Sequence, residues 1–308
     1  MPTLKELSVL YAKKQPKQVE NLTFESPILA MLPFEEASHD LWNVYEEVQE
    51  VNGGGFVNLD AALPSVGVKS ELKKVDLSIM GGEAQVGEDK ARMFGGAPAY
   101  FAKQEPSILR KSGMTSEIAI LYNNFRAYAI TNAKPINSGG TSNKNFTILA
   151  VRFVPGETTG LYSPKGFSNG AMLNVQALNG GNLMKISVTR NGATESINGY
   201  AVRYKAYFGM QLANVDTVGA ILNVDRDSAS KKIPSADQLN QLLDNVRASN
   251  SNTYLFMHPR CKSALYTLKN AQLTTVVSDN NVRDKYDAWN DIPIITSYNF
   301  TNGTEANT

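Results

Sequence analysis

Few residues in this chain have the chemistry of a catalyst. There are two histidines, His39 and His258, and a single cysteine, Cys261. A Ser-His-Asp or Cys-His arrangement must draw on one of those two imidazoles. His258 is the better placed, since it stands three residues before Cys261, a spacing that brings side chains together on a helix. However, Pro259 suits a helix first turn, and Cys261, Ala264, Leu265 and Leu268 fall on one apolar stripe behind it. His258 is thereby placed at the N-cap and the thiol on the core face, where a packing role is expected.

Other patterns offer less. Asp225 and Asp227 flank Arg226 in a composition that reads as a turn before it reads as an acid-base pair. From Glu35 to Glu50 run Glu35, Glu36, Asp40, Glu46, Glu47 and Glu50 without a Lys or Arg, but the ligand alternation and glycine of a calcium loop are missing. A solvated or partner-facing charged surface is the expectation there. Gly53-Gly54-Gly55 and Lys165-Gly166 match no phosphate-binding loop and read as turns. No catalytic, cofactor-binding or metal-ligating set is assigned, and the chain is not read as an enzyme.

Composition narrows the classes further. In 308 residues, 30 Lys and Arg stand against 29 Asp and Glu, a net charge of +1, so no overall field draws the chain to a polyanion. Positive charge does gather locally, at Lys103, Arg110, Lys111, Arg126, Lys134, Lys144, Arg152 and Lys165 against Glu105, Glu117 and Glu157. That face is expected to meet either a neighbour's acidic hairpin or a polyanion. The lone cysteine excludes an intrachain disulfide and fits synthesis in a reducing compartment. The stretch Leu7 to Ala12 is too short for a signal core, and no window approaches the roughly 18 apolar residues of a membrane span.

Stepping along the chain gives the elements. Residues 1–30 are mixed polar and basic and read as an arm without a core of its own. Residues 31–95 read as an extended β-hairpin loop with its flanks: alternation at Trp42, Val44 and Val48 marks one strand, and Lys73, Val75, Leu77 and Ile79 another. Between them Phe56, Val57, Leu59, Leu63 and Val66 sit among glycines and a proline with no helical period, apolar where a free loop is polar. Something else is expected to cover that tip.

Residues 96–130 read as the longest helix, with a restart or kink at Pro106 and an apolar face at Met114, Ile118, Leu121 and Phe125. Residues 131–225 are β-rich, with a dense strand TILAVRFV, a hairpin turn at Asn191-Gly192, and a half-buried strand from Tyr200 to Phe208. Residues 226–308 alternate helix and strand: a helix capped at Ser235, the strand TYLFM, the helix after Pro259, the strand Ile292 to Thr296, then a polar tail expected to be mobile.

This order, together with FTILAVRFVPGETTGLYSPKGFSNG (Phe146 to Gly170) and GYAVRYKAYFGMQLANVDTVGAILNVD, resembles the major capsid proteins of tailed bacteriophages. Ser163, between Tyr162 and Pro164, departs from the family's pattern. The resemblance implies an α+β fold of the Hong Kong 97 type, with N-terminal arm, extended loop, long spine helix, and peripheral and axial domains. It implies a structural protein of the virion, made in the host bacterial cytoplasm, that assembles with itself into hexamers and pentamers of an icosahedral shell, T=7 by family habit, around packaged double-stranded DNA. Implied partners are a portal protein, a separate scaffolding protein, a decoration or cement protein and, non-specifically, the DNA; no membrane is implied. Some relatives join subunits through a Lys-Asn isopeptide bond, for which Lys69, Lys73 and Lys74 lie in the right region. The residues expected at subunit contacts are Glu46, Glu47, Phe56, Leu59, Leu63, Lys73 and Lys74. Two other readings remain: a cellular encapsulin shell holding a cargo enzyme, and a hydrolase built on an accessible His258.

Overall fold

The computed structural model describes residues 2–11, 16–59, 61–132, 135–163, 173–190, 192–227, 231–266, 273–277 and 285–306. Three short helices open the chain, α1 (Leu4–Tyr11), α2 (Pro16–Thr23) and α3 (Pro27–Met31). Next come β1 (Phe34–Glu36), β2 (Trp42–Asn52), β3 (Gly67–Asp76) and β4 (Ser78–Gly87). A short α4 (Glu88–Met93) precedes the long helix α5 (Ala97–Ala119), which continues through a π-helical stretch, Ile120–Arg126, into α6 (Ala127–Asn132). The β-rich part holds β5 (Ile136–Asn137), β6 (Asn145–Arg152), β7 (Thr158–Tyr162), β8 (Asn174–Ala177), β9 (Met184–Arg190), β10 (Ala193–Leu212) and β11 (Val218–Asp225). Last come α7 (Ala236–Asn245), β12 (Thr253–Met257), α8 (Pro259–Leu265), β13 (Leu273–Val277), β14 (Lys285–Trp289) and β15 (Ile292–Thr296).

A seven-stranded sheet, ordered β13-β14-β15-β12-β6-β11-β5, forms the centre. In β6 the side chains of Phe146, Ile148 and Ala150 enter a core with α7 and α8, whose contributions include Leu239, Leu242, Cys261 and Leu265. Leu149 and Val151 enter a second core on the opposite face, with Leu121 and Phe125 of the π-helical stretch. Both faces are covered, which is why TILAVRFV is a continuous apolar run and not an alternating one.

A six-stranded sheet is organised by β10, 20 residues long and so about 65 Å in reach. It pairs in succession with β9, β4, β8 and β7. Val202, Tyr204 and Ala206 of β10 pack on Phe101 and Leu109 of α5 in a third core. Gly192, at φ 81°, lies in the β9–β10 hairpin; Asn191 lies outside the described residues, as do Lys134, Pro164, Lys165 and Gly166.

Four expectations need correction. The first 30 residues are no coreless arm: Leu4, Leu7, Val19, Leu22, Ile28 and Leu29 are buried beside Phe125 and Val151. The three-residue spacings of Leu4 with Leu7 and Val19 with Leu22 were the signal, carried by helices too short to show a long period. Pro106 does not restart the helix, since α5 runs through it; the proline removes one hydrogen bond, and α2 packed along α5 supports the helix there.

The buried face of the long helix is as expected at Leu121 and Phe125 but departs from expectation before them. Ile118 is exposed, while Leu109, Gly113, Glu117, Leu121, Phe125 and Ala129 are buried at a strict interval of four. An α-helix drifts past such a repeat, and the wider π-helical turn takes up the surplus residue. Finally, the tail is held in place: Phe300 and Glu305 are buried, and Glu305 pairs with Asn145 of β6 through the backbone.

Candidate functional site

The catalytic candidates are built into the core. His258 is 2% exposed, accepts the Arg260 N–H on Nδ1 at 3.1 Å as the N-cap of α8, and lies between the rings of Phe146 and Tyr298. Burial, with Arg260 and Arg226 nearby, pulls its pKa below the usual histidine value. Cys261 is wholly buried, which pushes its thiol up to about 12. A neutral buried thiol beside a capping imidazole is no nucleophile, so the hydrolase reading that needs an accessible His258 fails. His39 is stacked on Trp42 at 3.7 Å.

The remaining chemical candidates are used within the subunit. Asp227 takes the Arg260 guanidinium at 2.8 Å, and its N–H turns back to Asp225 Oδ1 at 3.2 Å, as the turn reading expects. Glu35 accepts from Gly156 and Thr159, and Asp40 from Ser163. A cavity of about 510 Å³ is lined by Asn132, Ile136, Val215, Asp216, Gln241 and Asn245 among others, and neither His258 nor Cys261 reaches it. Among the described residues no group of three His, Cys, Asp or Glu is placed to hold a metal, and no helix is long and apolar enough to cross a membrane.

Four members of the local basic run have partners within the subunit. Lys103 lies 5.1 Å over the Phe94 ring and Arg110 lies 4.1 Å over Phe24. Arg126 faces Glu305 at 3.6 Å, and Arg152 donates to the Asp216 carbonyl.

What stands out physically is the β2–β3 hairpin. Its two strands form a sheet of their own, with no third strand among the described residues. The root is anchored: Asn43 donates to Gln211 Oε1 of β10 at 2.5 Å, Ser38 N–H donates to Asn43 Oδ1, and Leu77 N–H to the Leu41 carbonyl. Beyond the root, six consecutive residues of β3, Gly67 to Leu72, are exposed, so neither face is covered there.

The four charged candidates lie along the walls and are paired inside the hairpin. Glu47 meets Lys73, Glu46 accepts from Ser70, Glu50 meets Lys69 at 2.6 Å, and Lys74 meets Asp76 at 2.7 Å with its ammonium 5.2 Å over Trp42. The hydrogen bond to Glu47 pushes the Lys73 ammonium above its usual value. The three apolar candidates lie at the tip. Phe56 and Leu59 are fully exposed, Leu63 is 81% exposed and Val66 65%. Together they make an apolar end on a stalk of paired charges, along which Val68 and Leu72 are exposed as well.

Sequence reasoning missed two buried carboxylates. Glu117 of α5 accepts the N–H groups of Ile28 at 2.9 Å and Leu29 at 3.0 Å, and also takes Ser297 Oγ and Asn299 Nδ2. Glu305 is the second. Their one legible sign in the sequence was the four-residue interval that puts Glu117 on the buried face.

No family model matches the chain, and no curated protein matches it in sequence. Solved structures do match in shape. A chain from the near-atomic structure of bacteriophage Epsilon15 aligns over 90% of this chain and 88% of its own length, at TM-score 0.52 and 10% identity. The bacteriophage JBD30 capsid aligns over 95% and 98%, at TM-score 0.50 and 10% identity. The chain therefore has the mixed α+β fold of phage capsid subunits, which fits the Hong Kong 97 type.

Proposed function

We propose that the chain is a major capsid protein, a structural subunit that assembles with itself into hexamers and pentamers of an icosahedral shell around packaged double-stranded DNA. The observation that carries this is the uncovered hairpin. An isolated two-stranded ribbon is marginal in water, and this one ends in Phe56, Leu59, Leu63 and Val66, all exposed. Docking on a neighbour removes that apolar surface from water, at about 2 kcal/mol for each large side chain buried.

In this reading α5 through α6 is the spine helix, the β10 sheet with α5 is the peripheral domain, and the seven-stranded sheet with α7 and α8 is the axial domain. Glu47 with Lys73, Glu46 with Ser70 and Lys74 with Asp76 brace the stalk, while Phe56, Leu59 and Leu63 make the subunit contact. Portal, scaffolding and decoration proteins are the further partners, and the virion is the location.

The test is the double variant Phe56→Asp with Leu59→Asp. It should keep the circular dichroism and thermal transition of the parent subunit, because both side chains are already in water, yet form no closed shells in negative stain. Shells of parental size and yield would contradict the proposal. Particles that enclose a bound enzyme and no DNA would assign the shell to the cellular kind instead.

A further inference from the structure

The last residues of the chain return from β15 to the long helix and end against its π-helical stretch. Phe300 is buried there, its ring 6.3 Å from that of Tyr122. Gly303, at φ +64°, turns the segment; a Cβ at that position would lie 3.0 Å from the Phe146 ring. The turn delivers Glu305 to Asn145, where the two backbones exchange hydrogen bonds of 3.3 and 3.4 Å.

Both carboxylate oxygens of Glu305 are then occupied. Tyr122 Oη donates to Oε1 at 2.7 Å and Thr301 Oγ1 to the same atom at 2.9 Å. Thr147 Oγ1 donates to Oε2, and Arg126 Nε lies 3.6 Å from that oxygen while donating to the Thr147 hydroxyl at 3.2 Å. The Thr301 N–H in turn donates to Tyr122 Oη at 2.9 Å. Tyr122 and Arg126 are both residues of the π-helical stretch, and one turn earlier Glu117 holds Ser297 and Asn299 of the same returning segment.

A π-helical turn is intrinsically rare and carries one residue more than the α-helix it interrupts. Left to itself such a stretch winds back to α, and everything beyond it then turns by about 100° about the axis. Here that rotation would carry Ala129 of α6 out of the core in which it is buried. Burial of Leu121, Phe125 and Ala129 favours the wider winding from the core side, and the polar contacts that reach it come from the segment 297–305.

We propose that the segment from Ser297 to Glu305 is a clasp that sets the winding of the long helix, holding Ile120–Arg126 in the π-helical register through Tyr122 and Arg126. The long helix then has two settings, clasped and wide or released and α-helical, and the C-terminal segment selects between them. The clasp is independent of what the chain assembles into.

Hydrogen exchange of the full-length chain, read by mass spectrometry, tests this. Glu305→Ala removes the acceptor at the centre; amides of 118–132 should exchange roughly tenfold faster, as should those of 297–306, while α7 keeps its parental protection. Tyr122→Phe deletes one hydroxyl and leaves the packing, and should shift the same two regions together by a smaller factor. Parental protection of 118–132 in both variants would overturn the proposal. Should Glu305→Ala loosen the whole chain, Tyr122→Phe decides: paired change at 118–132 and 297–306 upholds the clasp, and change at 297–306 alone refutes it.

Discussion

Glu117 satisfies two backbone amides of another helix from within the core. The N-cap of α3, Ser26, makes no side-chain cap, and Pro27 brings no N–H, so the free amides of Ile28 and Leu29 are satisfied from another helix. Replacing Glu117 by Ala strands those two donors in the core and should cost about 3 kcal/mol in chemical denaturation. The pH dependence has a definite sign. Burial pushes the Glu117 carboxyl above the usual glutamate range, and its four donors only partly oppose this. The native state therefore binds this proton more tightly than the unfolded chain does. Its contribution is most favourable below the unfolded pKa and is lost as pH rises through the raised folded value. Glu117→Gln, which does not titrate, should lose more relative to the parent at pH 4 than at pH 7. A gap between parent and variant that widens towards pH 7 would contradict this assignment.

At the scale of elements, helix packing sets tolerances that can be read from one position. Gly113 of α5 lies where a Cβ would come within 1.9 Å of the Leu22 carbonyl oxygen, so α2 can approach α5 this closely only over a glycine. Gly113→Ala should destabilise the chain by about 1–3 kcal/mol, seen as a lower denaturation midpoint, because α2 has to move off the helix; an unchanged midpoint would show that the contact is looser than the geometry says. Much of this layer was legible in the sequence. The Ser235 capping box with Gln238, the stripe Leu239, Leu242, Leu243, the strand Thr253–Met257 and the helix after Pro259 are local patterns, and all are present. The hairpin tip was legible too, as apolar residues in a setting that calls for polar ones. What escaped was everything fixed by distant partners. The cap that Glu117 gives α3, the burial of Glu305, and a π-helical turn that changes which face of α5 and α6 points inward all depend on chain segments far apart in sequence.

At the scale of the whole molecule, two parts of very different self-sufficiency are joined. The body has helices on both faces of its central sheet and cores of its own. The hairpin is rooted in that body at Asn43 and Gln211 and then leaves it, with charged side chains paired along its walls and exposed apolar residues at its end. With a net charge of +1 the chain has no overall field to draw it to a polyanion, so the proposed assembly rests on apolar docking between like subunits. The most direct measurement of that claim is particle size, by sedimentation and negative-stain microscopy of the parent chain expressed alone and with a scaffolding protein. Closed shells, or free capsomers of hexamer and pentamer size, are the predicted result. A compact monomer under every condition, with a radius of gyration near the about 19 Å expected for a globule of this length, would mean that the hairpin tip finds its cover on its own subunit, and would contradict a shell-forming role.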